Sequence, residues 1–110
     1  MENNDSRRIA RTESLFRDVN ERIAESTHRF GSEDASFVCE CSDPTCTERV
    51  HATLDDYHDV RDDGATFLLV KGHEDEQVEK VVERSTGYNV VRKVKPEVRR
   101  LVEQMNPRAA

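Results

Sequence analysis

Three cysteines lie within eight residues of this 110-residue chain, at Cys39, Cys41 and Cys46, and the chain has no other cysteine. Thiolates this close together can bind one Zn²⁺ ion, which prefers sulfur and nitrogen ligands in tetrahedral geometry. In an extended segment Cys39 and Cys41 point to the same face, because side chains alternate with a period of two. A turn through Pro44 brings Cys46 toward the same point. The spacing therefore predicts a metal site that constrains the fold around it.

A tetrahedral site needs a fourth ligand, and the histidines are the candidates. His73 is favoured, because it lies in a loop after the most apolar stretch of the chain and follows a glycine. His51, five residues beyond Cys46, is the alternative, with water or Asp43 as further candidates, whereas His28 and His58 are expected to be solvated. With zinc as the metal, the predicted ligands are Cys39, Cys41, Cys46 and His73.

The composition predicts a thin hydrophobic core. Only 35% of the residues are hydrophobic and 5% are aromatic, whereas 36% are charged. A chain of this length forms one compact domain, and small domains gain most from a metal that links their parts. We expect a disordered segment over residues 1–5, a single zinc-stabilised α+β domain over residues 6–106, and a tail over residues 107–110.

Hydrophobic periodicity predicts a long N-terminal helix from Ser6 to about Arg29. Apolar residues recur there at helical spacing, and we expect them to form its buried stripe: Ile9, Phe16, Val19, Ile23 and Phe30. A short helix should follow residue 53, because Thr53 is a good N-cap. Another should begin at Pro96, a residue that is favoured at the first helical position.

Strands are predicted where β-prone residues alternate or cluster between turn residues. The most apolar stretch, residues 66–70, should form the central strand. The expected strands are residues 35–41, 48–53, 66–70, 79–84 and 89–94, with a hairpin turn at 85–88. The predicted fold class is α+β: a long N-terminal helix packed on a small, mainly antiparallel sheet, with a short helix after the second strand and a zinc clip.

Charge is unevenly distributed along the chain, whose formal net charge is −6. Residues 31–91 carry fifteen Asp and Glu against five Lys and Arg, and residues 92–110 carry six Lys and Arg against two Glu. The acidic middle argues against general nucleic-acid binding, which needs a positive surface. We favour the interpretation that the basic end docks on the acidic middle; the alternative is that it reaches an acidic partner.

The sequence contains no pattern typical of secretion, membrane insertion or catalysis. The first residues are polar, and no run approaches the about 20 apolar residues of a membrane span, so we expect a cytoplasmic protein. Its cysteines should then bind metal in preference to forming disulfides. Phosphate loops, nucleophile elbows and the zinc-deaminase pattern are missing. We therefore predict that the protein is not an enzyme.

The leading interpretation is a zinc-binding domain that binds or regulates a protein partner, with an oligomeric state that the sequence leaves open. One alternative is a redox switch, in which oxidation of the cysteines releases the metal. Another is a nucleic-acid accessory protein. That function would use the basic residues near both ends of the chain: Arg7, Arg8, Arg11, Arg92, Lys93, Lys95, Arg99 and Arg100. No aromatic residues lie among these cations, so base stacking is not expected.

The cysteine pattern also resembles known metal sites. Cys39-x-Cys41-x₄-Cys46 is similar to the zinc clip that follows SET methyltransferase domains, whose fourth ligand is a cysteine that this chain lacks. Its opening resembles SWIM-type zinc fingers, whose closing Cys-x-His pair is missing here. A wider resemblance, over roughly residues 8–94, is to small uncharacterised bacterial proteins. They share the N-terminal helix, the three cysteines, a Thr-Leu-x-x-Tyr segment (residues 53–57) and a Gly-His-Glu loop (residues 72–74). This resemblance implies a Cys₃His zinc clip and no known activity.

Overall fold

A computed structural model describes residues 4–108 and confirms the α+β class. Over that range no helix is both long and apolar enough to cross a membrane. The first helix begins at Asn4, two residues before its expected start, and residues 1–3 and 109–110 of the predicted termini lie outside the described range. The elements are α1 (Asn4–Arg29), β1 (Asp34–Val38), β2 (Arg49–Thr53), α2 (Leu54–Arg61), β3 (Thr66–Leu69), β4 (Glu79–Arg84), β5 (Asn89–Lys93) and α3 (Pro96–Gln104).

The strands form two antiparallel sheets. β1 pairs with β2, and the other sheet has the order β3–β5–β4. The expectation that residues 66–70 form the central strand is therefore wrong, because β5 occupies that position. β3 is nevertheless buried at all four residues. The Glu40 N–H donates to the Leu68 carbonyl (2.9 Å), so the cysteine-rich segment after β1 lies beside β3.

Local side-chain chemistry sets several element boundaries where the sequence predicts them. The Thr53 hydroxyl accepts a hydrogen bond from the Asp56 N–H (3.0 Å) and caps the first turn of α2. The Ser85 N–H donates to the Tyr88 carbonyl (2.9 Å) and closes the hairpin between β4 and β5. Pro96 opens α3, where its missing N–H costs nothing.

The buried side chains form two hydrophobic clusters. Phe67 belongs to one, together with Cys39 and Cys41. Leu68 belongs to the other, together with Phe37. Because successive residues of a strand point to opposite faces, β3 contributes to both clusters. The three-stranded sheet is thus covered on both faces, with the cysteines on one of them.

The buried face of α1 differs from the predicted apolar stripe. Ile9 is buried, and Phe16 and Ile23 are half-buried. Val19 and Phe30, however, are 39% and 82% exposed. The face that packs against the rest of the domain carries fully buried polar residues, among them Glu13, Arg17 and Asn20. Hydrophobic periodicity could not identify this face, because its partners are distant in the sequence.

Two of these residues bind groups from the C-terminal part of the chain. The Lys93 ammonium group contacts the carboxylates of both Glu13 and Glu79 in the interior. Arg17 donates to two backbone carbonyls, one of which is the Val102 carbonyl near the end of α3 (2.8 Å). Buried charges need such partners, because an unpaired charge is costly in the protein interior. These bonds fix α1 against β5 and α3.

Asn20 connects α1 to β1 and to the cysteine-rich segment. Its amide donates to the Val38 carbonyl (2.9 Å) and accepts from the Val38 N–H (2.8 Å). It also donates to the carboxylate of Glu40 (2.8 Å), which in turn accepts from the Leu68 N–H (3.0 Å). One side chain of α1 thereby fixes the position of the chain just before and within the cysteine motif.

The basic end of the chain contacts the acidic middle, in agreement with the favoured interpretation of the charge pattern. Arg92 pairs with Asp63 (2.9 Å), and Lys93 contacts the buried Glu79. At least part of the positive charge after residue 91 is therefore used within the domain.

Candidate metal centre

The structure brings together the four residues that the sequence predicts as ligands. The Sγ atoms of Cys39, Cys41 and Cys46 and a ring nitrogen of His73 all lie within 4.8 Å of one another. The three cysteines are free thiols with no disulfide among them. The cysteines come from the loop between β1 and β2, and the histidine comes from the loop between β3 and β4. These residues can hold a metal ion, and such an ion would link the two loops.

The turn between the second and third cysteines follows from its sequence. The Asp43 carboxylate accepts from both the N–H (2.9 Å) and the hydroxyl (2.7 Å) of Thr45. The Cys46 N–H then donates to the Asp43 carbonyl (3.0 Å). Asp at the first position and Pro at the second are the preferred residues of a type I turn, and Pro44 occupies the second position here. This turn returns the chain so that Cys46 faces the other two sulfurs.

The Gly-His-Glu sequence explains how the second loop presents its imidazole. Gly72 has a φ of +93°, which residues with a side chain rarely adopt. The His73 N–H donates to the Val70 carbonyl (3.0 Å) across this bend. The Glu74 carboxylate accepts from the Gly72 N–H (3.1 Å). Each residue of the motif thus helps to turn His73 back toward the cysteines.

The distances fit a tetrahedral metal ion. His73 Nδ1 lies 3.5 Å from Cys39 Sγ and 3.7 Å from Cys46 Sγ. For Zn²⁺, with bonds of about 2.3 Å to sulfur and about 2.0 Å to nitrogen, two such tetrahedral corners are about 3.5 Å apart. The Nδ1 atom is therefore the nitrogen that faces the cluster. The opposite ring nitrogen, Nε2, lies 2.8 Å from the Glu48 carboxylate.

Backbone N–H groups favour the thiolate form of the cysteines. The Val70 N–H donates to Cys39 Sγ (3.2 Å). The backbone N–H groups of Asp43 and Glu48 act in the same direction on Cys41 and Cys46, respectively. Such bonds favour the negatively charged thiolate, which is the form that binds metal. The backbone of both loops is thus arranged for thiolate ligands.

When no cation is bound, burial and the hydrogen bonds among these side chains shift their pKa values in different directions. A hydrogen bond from the Cys39 thiol lowers the pKa of Cys41 to about 5, and the same bond, together with burial, raises the pKa of Cys39. Burial raises the pKa of Cys46. The hydrogen bond with Cys41 raises the pKa of His73. Because a metal must displace the protons on its ligands, its binding to this cluster weakens as the pH falls.

The remaining histidines lie elsewhere on the surface. His51, the alternative ligand, is in β2, where its exposed ring lies 3.4 Å from the Asp34 carboxylate. His58 is exposed on α2 and contacts the Arg108 guanidinium (3.0 Å). His28 is exposed near the end of α1. None of the three belongs to the cysteine cluster.

Sequence reasoning did not identify two carboxylates that support the cluster. Glu40, between Cys39 and Cys41, is fully buried and binds Asn20 and the backbone of β3. Burial raises its pKa to about 7. The period of two was the signal for its orientation, since a residue between two ligands must point away from them. The sequence gives no comparable signal for Glu48, because only the tertiary fold brings its carboxylate close to His73.

Comparisons of the chain with models of protein families, with curated proteins and with solved structures found no match. The resemblances to the SET-associated clip and to small bacterial proteins therefore stay predictions, and function must be argued from the site itself.

Proposed function

We propose that Cys39, Cys41, Cys46 and His73 bind one structural zinc ion, and that the domain stabilised in this way is a non-enzymatic module that binds another protein. The observation that carries the proposal is the convergence of three sulfur atoms and one imidazole nitrogen within 4.8 Å. Three thiolates and one imidazole complete a tetrahedral shell. A zinc ion held by them has no open position for a catalytic water, which supports a structural role.

The position of the cluster supports the same role. Its ligands come from two loops, and a metal ion held by them would link these loops directly. Cys39 and Cys41 are also part of one of the two hydrophobic clusters. A metal ion here would stabilise a domain in which only 35% of residues are hydrophobic.

Metal analysis of the purified protein tests the zinc site. We expect about one zinc per chain, and removal of the metal by a chelator should lower the Tm by roughly 10 °C or more, since each kcal/mol corresponds to about 4–8 °C in a domain of this size. His73→Ala should weaken zinc retention, whereas His51→Ala, the matched control in β2, should not. The zinc site would be refuted if the purified protein contains no zinc and the chelator leaves its melting curve unchanged.

Exposed apolar side chains on α1 support the protein-binding part of the proposal. Leu15 is 61% exposed and Val19 lies one turn further along the same helix, 39% exposed. Phe30 follows the end of the helix and is 82% exposed. Exposed apolar side chains one turn apart on a helix, such as Leu15 and Val19, can form part of a surface where proteins meet. We expect a partner to cover this surface.

Crosslinking in the native cell, followed by mass spectrometry, tests the partner. The protein and a Val82→Glu variant, which alters an exposed residue of β4 (46% exposed), should crosslink to the same protein through α1. Leu15→Glu should lose that crosslink while keeping its zinc. If all three proteins give the same crosslinks, or none, α1 is not the binding surface.

A further inference from the structure

The three sulfurs of the metal centre differ in their access to solvent. Cys39 and Cys41 are buried, whereas Cys46 is only half-buried. A shallow cavity of about 210 Å³ lies against the centre and is lined by Cys41, Ser42, Asp43 and His73. A small solute can therefore reach Cys46 directly and can approach Cys41 through the cavity, while Cys39 lies deeper.

The backbone around the three cysteines differs as well. The Cys39 N–H donates to the Glu48 carbonyl (3.1 Å) and continues the pairing of β1 with β2, and its sulfur accepts from Val70 beside β3. Cys46 instead lies in the turn that is closed by hydrogen bonds to Asp43. A shift of Cys46 toward another sulfur therefore rearranges one turn and leaves the strands paired.

Disulfide geometry limits which two sulfurs can join. Alternate residues of an extended segment have Cα atoms about 6.6 Å apart, close to the upper limit of about 6.8 Å for a disulfide. A bridge between Cys39 and Cys41 is thus disfavoured, and a bridge that includes Cys46 is favoured. Cys41 is the better partner, because it lines the cavity whereas Cys39 is held by β3.

We propose that the metal centre is a site of oxidation by hydrogen peroxide, in which Cys46 reacts first and then forms a disulfide with Cys41, so that the zinc ion is released. This inference rests on the proposed zinc site and adds a means of regulating it. The half-buried Cys46 is open to the oxidant, and the turn that carries Cys46 allows the bridge to form.

The chemistry balances with peroxide as the only oxidant. The Cys46 thiolate attacks one peroxide oxygen, the O–O bond breaks, and a sulfenic acid and a hydroxide ion form. The Cys41 thiolate then attacks the sulfenic sulfur and displaces a second hydroxide as the disulfide bond forms. Two thiolates have lost two electrons, and peroxide has gained them. Cys39 and His73 remain as ligands, too few to retain the metal, and the two loops are no longer linked.

Zinc-loaded, full-length protein treated with stoichiometric hydrogen peroxide tests the proposal. Zinc release is followed with a chromogenic chelator, and thiols are alkylated with different reagents before and after reduction. Trypsin leaves all three cysteines in one peptide, residues 30–49, which has no internal Lys or Arg, and tandem mass spectrometry assigns each label. We expect zinc release, with Cys39 labelled before reduction and Cys41 and Cys46 only after it. Dithiothreitol and zinc should restore the metal-bound form.

A Cys46→His variant is the matched control, because it keeps four ligands of types that bind zinc and removes the accessible thiolate. We expect peroxide to release its zinc at least about 10-fold more slowly. If this variant does not load zinc, the labelling pattern of the parent protein decides. Retention of zinc by the peroxide-treated parent, or a disulfide that omits Cys41 or Cys46, overturns the inference. Absence of zinc from the untreated protein would instead refute the proposed function.

Discussion

The Glu48 carboxylate contacts the imidazole of His73, one of the four proposed ligands. The carboxylate lies 2.8 Å from Nε2 of the imidazole, and Nδ1 faces Cys39 Sγ at 3.5 Å. A carboxylate that accepts a hydrogen bond from one ring nitrogen fixes the tautomer in which the other nitrogen is free to bind metal. We therefore propose that Glu48 positions His73 for metal binding without being a ligand itself.

We predict that Glu48→Ala lowers the affinity for zinc about 10- to 100-fold, because the imidazole loses its orienting partner. Glu48→Gln should lower the affinity for zinc less, since its amide oxygen still accepts the hydrogen bond from the imidazole. Competition with a chromogenic chelator at fixed pH measures both affinities. Asp34→Asn is the control, because Asp34 lies beside His51, away from the cluster. Unchanged zinc affinity in Glu48→Ala would contradict the role given to Glu48.

At the level of elements, α1 is unusual because five of its eight buried residues are polar. Burial raises the pKa of Glu13 from 4.5 to about 8, although the adjacent Lys93 ammonium opposes this shift. Between these two pKa values the unfolded chain is ionised at Glu13, whereas the folded protein still holds the proton. The contribution of Glu13 to stability is therefore present below about pH 4.5 and is lost as the pH rises toward 8.

Replacement of Glu13 by Gln should show this dependence. We predict that, as the pH rises from 5 to 8, the unfolding free energy of Glu13→Gln increases relative to that of the parent. The expected change is on the order of a few kcal/mol, since each pKa unit corresponds to about 1.4 kcal/mol. Urea unfolding of the zinc-saturated proteins measures it. Glu103→Gln, at a partly exposed position of α3, is the control and should parallel the parent. If the unfolding free energy of Glu13→Gln instead varies with pH in parallel with that of the parent, the prediction is wrong.

Across the whole molecule, residues 39–41 join the candidate metal centre to the packing of the core. Cys39 and Cys41 face the cluster, and Glu40 points the other way and binds Asn20 and the Leu68 N–H. The same three residues thus contact α1, β3 and the other ligands. Loss of the metal would loosen a segment on which both sides of the domain depend.

The sequence predicts what local chemistry decides. The N-cap at Thr53, the turn before Tyr88 and the proline that opens α3 need only near neighbours, and the structure confirms them. The cysteine cluster belongs to the same class, because the alternation of Cys39 and Cys41 and the turn before Cys46 lie within one short segment.

Contacts between distant parts of the chain explain what the sequence could not predict. The buried face of α1 depends on Lys93, far along the chain, so its charged residues appear solvent-facing in the sequence pattern. The choice of His73 over His51 depends on how the loop after β3 folds against the loop after β1. The spacing of residues along the sequence does not decide whether His51 or His73 is the fourth ligand.

The pairing of Asn20 with Val38 has a consequence for association between molecules. A strand edge with unpaired N–H and carbonyl groups invites pairing with another chain and hence aggregation. At Val38 both groups are already occupied by one side-chain amide, and β2 covers the opposite edge of β1. Asn20 thus occupies the backbone groups that a strand from another molecule would need in order to pair with β1 at Val38.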